Sequence, residues 1–335
     1  MRIQRPSQMA PQAIDGIITT MSTEPTPSPR ILVGFDGTES GLDAVALGRR
    51  LAEDAGGCLV IAHVAPLNLT FVPYLDQDPM VERTLREASE EVLRLAIPAL
   101  EGFDAWEECS HPAVPPARGL HEVADDQRAD LLVVGSTHRR GLGRIVPGTT
   151  AETLLHGSHH PVIVAPAGWR EPSGGVFSAL GAGFDGSVES MSAMSAAAAL
   201  ARLTGASLRA IAAFERPDPA NPIFAVTSHG YGEIVGDLRD SLADRLDDAA
   251  AALPDGVDVR TQVLDGDPAD VLTAESAGLD LLAVGSRGYG ALRSVMLGTH
   301  TGELIWRSRC PVLVVPRGVE HPLESFRPRR RATAA

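Results

Sequence analysis

The sequence predicts an α/β protein built from two copies of one doubly wound parallel sheet. Three observations carry that expectation. The chain has 335 residues, long enough for two domains of ordinary size. A set of landmarks recurs about 150 positions later. Within each repeat, short apolar strands alternate with amphipathic, helix-length segments, the pattern of a parallel sheet covered on both faces.

The repeat is read from four places. Ile31-Leu32-Val33-Gly34-Phe35-Asp36-Gly37 returns as Leu180-Gly181-Ala182-Gly183-Phe184-Asp185-Gly186, and Leu131-Leu132-Val133-Val134-Gly135-Ser136 returns as Leu281-Leu282-Ala283-Val284-Gly285-Ser286. Gly148-Thr149 matches Gly298-Thr299, and Pro161 to Pro166 matches Pro311 to Pro316. The expected organisation is a tail over 1–29, a first domain over 30–168, a linker over 169–175 marked by Pro172, Gly174 and Gly175, a second domain over 176–318, and a basic tail over 319–335.

In the first copy the order is strand 31–35, helix 40–55, strand 58–64, helix 82–100, a weaker strand 105–109, helix 116–128, strand 131–135, a short helix 150–156 and strand 161–165. The second copy repeats it with helices at 191–203, 233–253 and 268–277 and a weaker strand at 257–264. In such sheets ligands gather beyond the carboxyl ends of the strands, where strand order reverses.

Composition narrows the function. Hydrophobic content of 44% and charged content of 21% exclude wholesale disorder, and a net charge of -14 disfavours nucleic acid and anionic membranes as partners. All 29 basic residues are arginine. Without lysine there is no Walker A loop and no Schiff-base chemistry. Cys58, Cys109 and Cys310 are few and widely spaced, which suits a reducing compartment. The first 30 residues, rich in Pro, Ser, Thr and Gln, read as a disordered tail and not as a signal peptide; Met1 and Met21 are both open as the start. No run reaches 18 apolar residues, so a cytoplasmic location is expected. Phe326-Arg327-Pro328-Arg329-Arg330-Arg331 reads as a solvated end.

The strongest chemical signal is Gly285-Ser286-Arg287-Gly288, then nine residues, then Gly298-Thr299-His300-Thr301 at the start of a helix. Glycines let backbone N–H groups close on a phosphate, and the helix N-terminus favours an anion. Thr299 and Thr301 add hydroxyls; Arg287 lies within the loop. A Gly-rich turn capped by Thr299 would have the same spelling. Asp36 and Asp185, at the carboxyl ends of the first strands, can face a base or ribose, or can build an Asp-Gly turn and cap the next helix.

The combination of strand-Asp-Gly-Ser/Thr, G-x-x-G-x9-G-[ST] and a closing Cys-Pro-Val-Leu-Val-Val strand resembles the universal stress protein family in its tandem form, over Arg30 to about Gly318. That resemblance implies an adenine-nucleotide α-hydrolase-like sheet in the order 3-2-1-4-5. It also implies that the last strands of the two domains pair with each other, and it leaves further homodimerisation open. It implies ATP as ligand; hard phosphate oxygens suit magnesium or manganese carried by the nucleotide, and no metal site of the protein's own is expected. Asp185 would lie near the adenosine and Ala213 would line the adenine pocket. Gly285 and Gly288 would wrap ribose and phosphates, with Gly298, Thr299 and His300 presenting donors. In the first copy His138 replaces the second glycine, which makes that loop degenerate; Asp36, Val64, Gly135, Gly148 and Thr149 are its candidate contacts.

Two patterns compete for attention. Gly181 to Gly186 spells G-x-G-x-x-G, a dinucleotide fingerprint, although Glu215 follows too far downstream and the first copy lacks the pattern. His156, His159 and His160 cluster before a strand, but the second copy has no counterpart and no carboxylate completes a metal-ligand spacing, so they read as surface histidines. The expected function is nucleotide-responsive stress signalling through an unidentified protein partner. Slow metal-dependent ATP hydrolysis, with Asp185 or His300 orienting water, and nucleotide-independent protein interaction stay open.

Overall fold

A computed structural model describes residues 28–65, 79–136, 149–170, 177–220, 230–286, 299–319 and 322–326. The first half runs β1 (Arg30–Gly34), α1 (Glu39–Ala55), β2 (Cys58–Ala65), α2 (Pro79–Arg94), β3 (Trp106–Pro112), α3 (Pro116–Gln127), β4 (Leu131–Gly135), α4 (Thr149–Gly157) and β5 (Val162–Ala165). The second runs β6 (Ala179–Phe184), α5 (Val188–Thr204), β7 (Ser207–Phe214), α6 (Tyr231–Ala251), β8 (Val259–Asp265), α7 (Pro268–Glu275), β9 (Leu281–Gly285), α8 (Thr299–Arg307) and β10 (Val312–Val315).

Local chemistry sets these limits. Thr38 and Ser187 cap α1 and α5 by accepting from the N–H groups of Gly41 and Ser190, and Gly56 and Gly205 close the same helices in the left-handed conformation. Asp267 caps α7 with Pro268 at its first position. The expected helix 82–100 is shorter at its far end. It stops at Arg94 and is followed by a separate 3₁₀ turn, Ile97–Leu100, because Pro98 lacks an N–H and its ring would clash with the carbonyl of Arg94.

Strand order is β3-β2-β1-β4-β5-β10-β9-β6-β7-β8, so each half has the 3-2-1-4-5 order. The two expected five-stranded sheets are halves of one ten-stranded sheet. They join where β5 and β10 pair antiparallel, with Ile163 opposite Leu313. Those two residues are equivalents in the repeat, so a pseudo-two-fold axis passes between them. Every residue of β5 and β10 is buried. Helices α1, α2, α5 and α6 cover one face of the sheet, and α3, α4, α7 and α8 the other, giving two apolar layers. Because the central pairing is antiparallel, the carboxyl ends of the two halves' parallel strands lie on opposite edges.

Two expectations about the chain ends of the domains are corrected. Residues after β5 do not begin a free linker at Trp169: the N–H groups of Gly168 and Arg170 donate to the buried carboxylate of Asp43 in α1, and Arg170 pairs with Glu39. Residues 171–175 lie outside the described residues. The far end is not solvated throughout either. Leu323 and Phe326 are buried in the α1/α5 layer, and Ser325 Oγ donates to Asp130 of the first half at 2.8 Å. A fully buried Phe outweighs the basic residues that follow it.

Candidate functional site

The carboxyl edge of β6, β7 and β9 assembles most of the described second-copy candidates. β6 lies between β7 and β9, and its chain leaves through Asp185-Gly186-Ser187 into α5. Asp185 Oδ1 accepts from the Ser187 N–H at 2.9 Å and from its hydroxyl at 2.5 Å, so the carboxylate builds the turn while Ser187 caps the helix. No partner binds the other carboxylate oxygen among the described residues. Ala213 sits half-buried near the end of β7. Ser286 is buried just past β9.

Gly285 closes β9 against the first turn of α5. A Cβ there would come within 2.8 Å of the Glu189 carbonyl carbon, so the glycine is needed to let the helix N-terminus approach the strand end. Thr301, in the first turn of α8, donates its hydroxyl to the Gly285 carbonyl at 3.2 Å. That hydroxyl therefore fastens α8 to β9, where the sequence suggested a free donor. Arg287, Gly288 and Gly298 lie outside the described residues. Thr299 and His300 open α8, placing that helix's N-terminal N–H groups beside the end of β9.

One charged group escaped the sequence reading. Arg245, from α6, donates to the carbonyl of Gly186 at 3.3 Å, and a Cβ on Gly186, whose φ is +80°, would collide with the guanidinium. A cation thus stands over the Asp-Gly turn. Nothing in the spacing of a helical arginine 59 positions downstream announces this contact.

The first copy repeats the frame with different trim. Asp36 Oδ1 accepts from the N–H and hydroxyl of Thr38 at 3.1 and 2.6 Å. Above Gly37, apolar Val92 and Leu95 take the place that Arg245 holds above Gly186. Gly135 is pressed against the backbone of Ser40, where no Cβ fits. Ser136 Oγ is buried with no hydrogen-bond partner among the described residues. Thr149 opens α4 and is exposed, and Val64 packs against Gly119 of α3. His63, which the sequence did not single out, places Nδ1 2.9 Å from the carbonyl of Phe35. Gly148 and His138 lie outside the described residues.

The dinucleotide fingerprint dissolves in the structure. Gly181 and Gly183 are interior residues of β6, packed under Leu279 and Leu272, and not a turn before a helix. A cavity of about 340 Å³ between Trp169, Phe177, Leu279, Asp280 and Cys310 lies at the amino ends of β9 and β10, on the edge that carries the carboxyl ends of the first half's strands. Burial pushes the Cys310 thiol up to about 12, so it carries no thiolate at neutral pH.

The sequence profile of the universal stress protein family matches residues 28–166 and again 178–316. The chain belongs to the universal stress protein family. A universal stress protein from Mycobacterium tuberculosis is 26% identical over 299 residues, covering 85% of this chain and 99% of its own. Another, from Mycolicibacterium smegmatis, is 29% identical over 292 residues, covering 85% and 96%. The crystal structure of a universal stress protein from Archaeoglobus fulgidus superposes with a TM-score of 0.58 at 18% identity, covering 87% of this chain and 99% of that one, a likeness of fold. Among the described residues no helix is long and apolar enough to cross a membrane.

The histidine cluster also needs correction. Asp125 of α3 reaches the turn before β5, and its Oδ1 lies 2.7 Å from His159 Nε2 and 2.9 Å from His160 Nε2. The carboxylate missing from the local sequence comes from 34 positions upstream. Both imidazoles hold the Asp125 carboxyl below its usual range, His159 more strongly.

Proposed function

We propose that this universal stress protein binds an adenine nucleotide, with ATP as the expected form, in the crevice of its second half. The nucleotide's occupancy then signals stress to a protein partner. The observation that carries the reading is the unbroken G-x-x-G-x9-G-[ST] pattern between β9 and α8. Helices α5 and α8 both begin at that edge, and their free N–H groups and dipoles favour an anion. Arg245 adds a positive charge over the same turn. This donor set suits phosphates, while Asp185 keeps one carboxylate oxygen for a ribose or base.

These groups hold phosphates by backbone N–H groups and charge. A hydrolytic role is less well served, because Asp185 already spends one oxygen on Ser187 in building the turn. Magnesium or manganese, when present, would ride on the phosphates. The first half, with His138 in its loop and apolar cover over Gly37, is the weaker site. The protein would act in the cytoplasm and is free to dimerise.

The test is to denature freshly purified protein and quantify released nucleotide by chromatography and mass spectrometry, with Gly288→Trp alongside. About one adenine nucleotide per chain, lost in the variant, is the expected result. Two per chain would make the first half a site as well. No release, together with no calorimetric binding of added ATP, would overturn the proposal in favour of a nucleotide-independent interaction protein.

A further inference from the structure

The turn between α4 and β5 meets the last turns of α3 in a cluster that neither crevice uses. Asp125 Oδ1, His159 Nε2 and His160 Nε2 all lie within 4.8 Å of one another. His121 sits four residues before Asp125 on α3, and its ring stacks on His159 with centroids 5.6 Å apart and planes 20° apart. Its Nδ1 is buried without a hydrogen-bond partner among the described residues. His159 and His160 themselves have ring centroids 4.4 Å apart. Two imidazoles thus converge on one carboxylate, with a third stacked beside them, and Asp125 and His159 are both more than half exposed, so an ion can reach them.

We propose that Asp125, His159 and His160 form a binding site for a divalent transition-metal ion of Zn²⁺ type. Two imidazole nitrogens and one carboxylate oxygen are the donor set that borderline ions prefer, and three protein ligands leave the fourth position to water. Tetrahedral bonds of about 2.0–2.1 Å put ligand atoms about 3.3 Å apart, so groups now 2.7 and 2.9 Å apart open by about half an ångström, while the two Nε2 atoms, within 4.8 Å of each other, settle to the same spacing. The protons balance: a neutral imidazole passes its Nε2 proton through solvent to Nδ1, an imidazolium releases its Nε2 proton and keeps the one on Nδ1, and either way Nε2 presents its lone pair to the ion.

The site belongs to one half only. The second half has Arg309 and Cys310 where the first has His159 and His160, so the pair of imidazoles is not repeated. Because β5 runs antiparallel to β10, the cluster at the amino end of β5 shares a sheet edge with the carboxyl ends of β9 and β10. The ion would therefore sit on the edge that carries the second half's crevice.

The experiment uses the full chain, stripped of metal and nucleotide and with its thiols blocked, titrated with Zn²⁺ against a chromophoric chelator. One Zn²⁺ per chain is expected, with Co²⁺ giving a tetrahedral spectrum. His159→Gln/His160→Gln should weaken binding at least a hundredfold and Asp125→Asn about tenfold. Zn²⁺ should raise the unfolding midpoint of the parent and not that of the double variant, and the metal-free midpoints report whether the variants fold. If the double variant fails to fold, Asp125→Asn alone decides. Absence of binding at micromolar Zn²⁺, or binding unchanged by Asp125→Asn, overturns the site.

Discussion

A single added methyl separates two kinds of glycine in this chain. At Gly135 a Cβ would run into the backbone of Ser40, and neither the strand nor the helix N-terminus can yield without losing the approach that shapes the crevice. At Gly157, after α4, a Cβ meets nothing within 4 Å. Gly135→Ala is therefore expected to destabilise by about 1–3 kcal/mol, as overpacking does. Gly157→Ala should stay within about 0.5 kcal/mol of the parent. Urea unfolding of the two variants checks this, and equal midpoints would refute the close approach. The same logic limits what Gly285 says about ligands. Its glycine is required by Glu189 before any phosphate arrives, so a loss of function on substituting it would not by itself reveal a nucleotide.

Asp185-Gly186-Ser187 is the element where a structural and a functional role overlap, and substitution can part them. Asn keeps an oxygen to accept from the Ser187 N–H and hydroxyl but loses the charge; Ala loses both. Asp185→Asn should keep the unfolding midpoint while weakening nucleotide binding, whereas Asp185→Ala and Ser187→Ala should each cost about 0.5–2 kcal/mol of stability. Equal nucleotide content in the parent and Asp185→Asn would confine Asp185 to turn building. What could be read from the sequence follows the same division. The strands, the helices between them and the repeat were legible because burial on both faces and capping residues leave local patterns, as at Thr38, Gly56 and Asp267. The partnerships of Arg245 with Gly186, Asp125 with His159, and Phe326 with the core were not. Each joins positions far apart in the chain, and no periodicity encodes which helix face or chain end will meet a given turn.

At the scale of the whole molecule, the two halves hold each other by more than their covalent connection. β5 and β10 bury every side chain against the partner half and the helices above, and separating them would expose two apolar edge strands. The tethers are reciprocal. Residues after β5 reach the cavity beside Asp280 of the second half, and residues after β10 reach Asp130 of the first. Asp130 and Asp280 do the same work in each half, accepting from the N–H of Arg30 and of Ala179. A protease site inserted between 171 and 176 should therefore give a cleaved protein whose halves travel together in gel filtration. Phe326→Ala, removing a wholly buried ring, should cost about 3–5 kcal/mol of stability and loosen the cleaved pair further. Halves that separate at micromolar concentration once cut would mean that the antiparallel pairing is held by the connection alone. Halves that stay paired until Phe326 is removed would place much of the clamp in the terminal segment, outside the repeated domains.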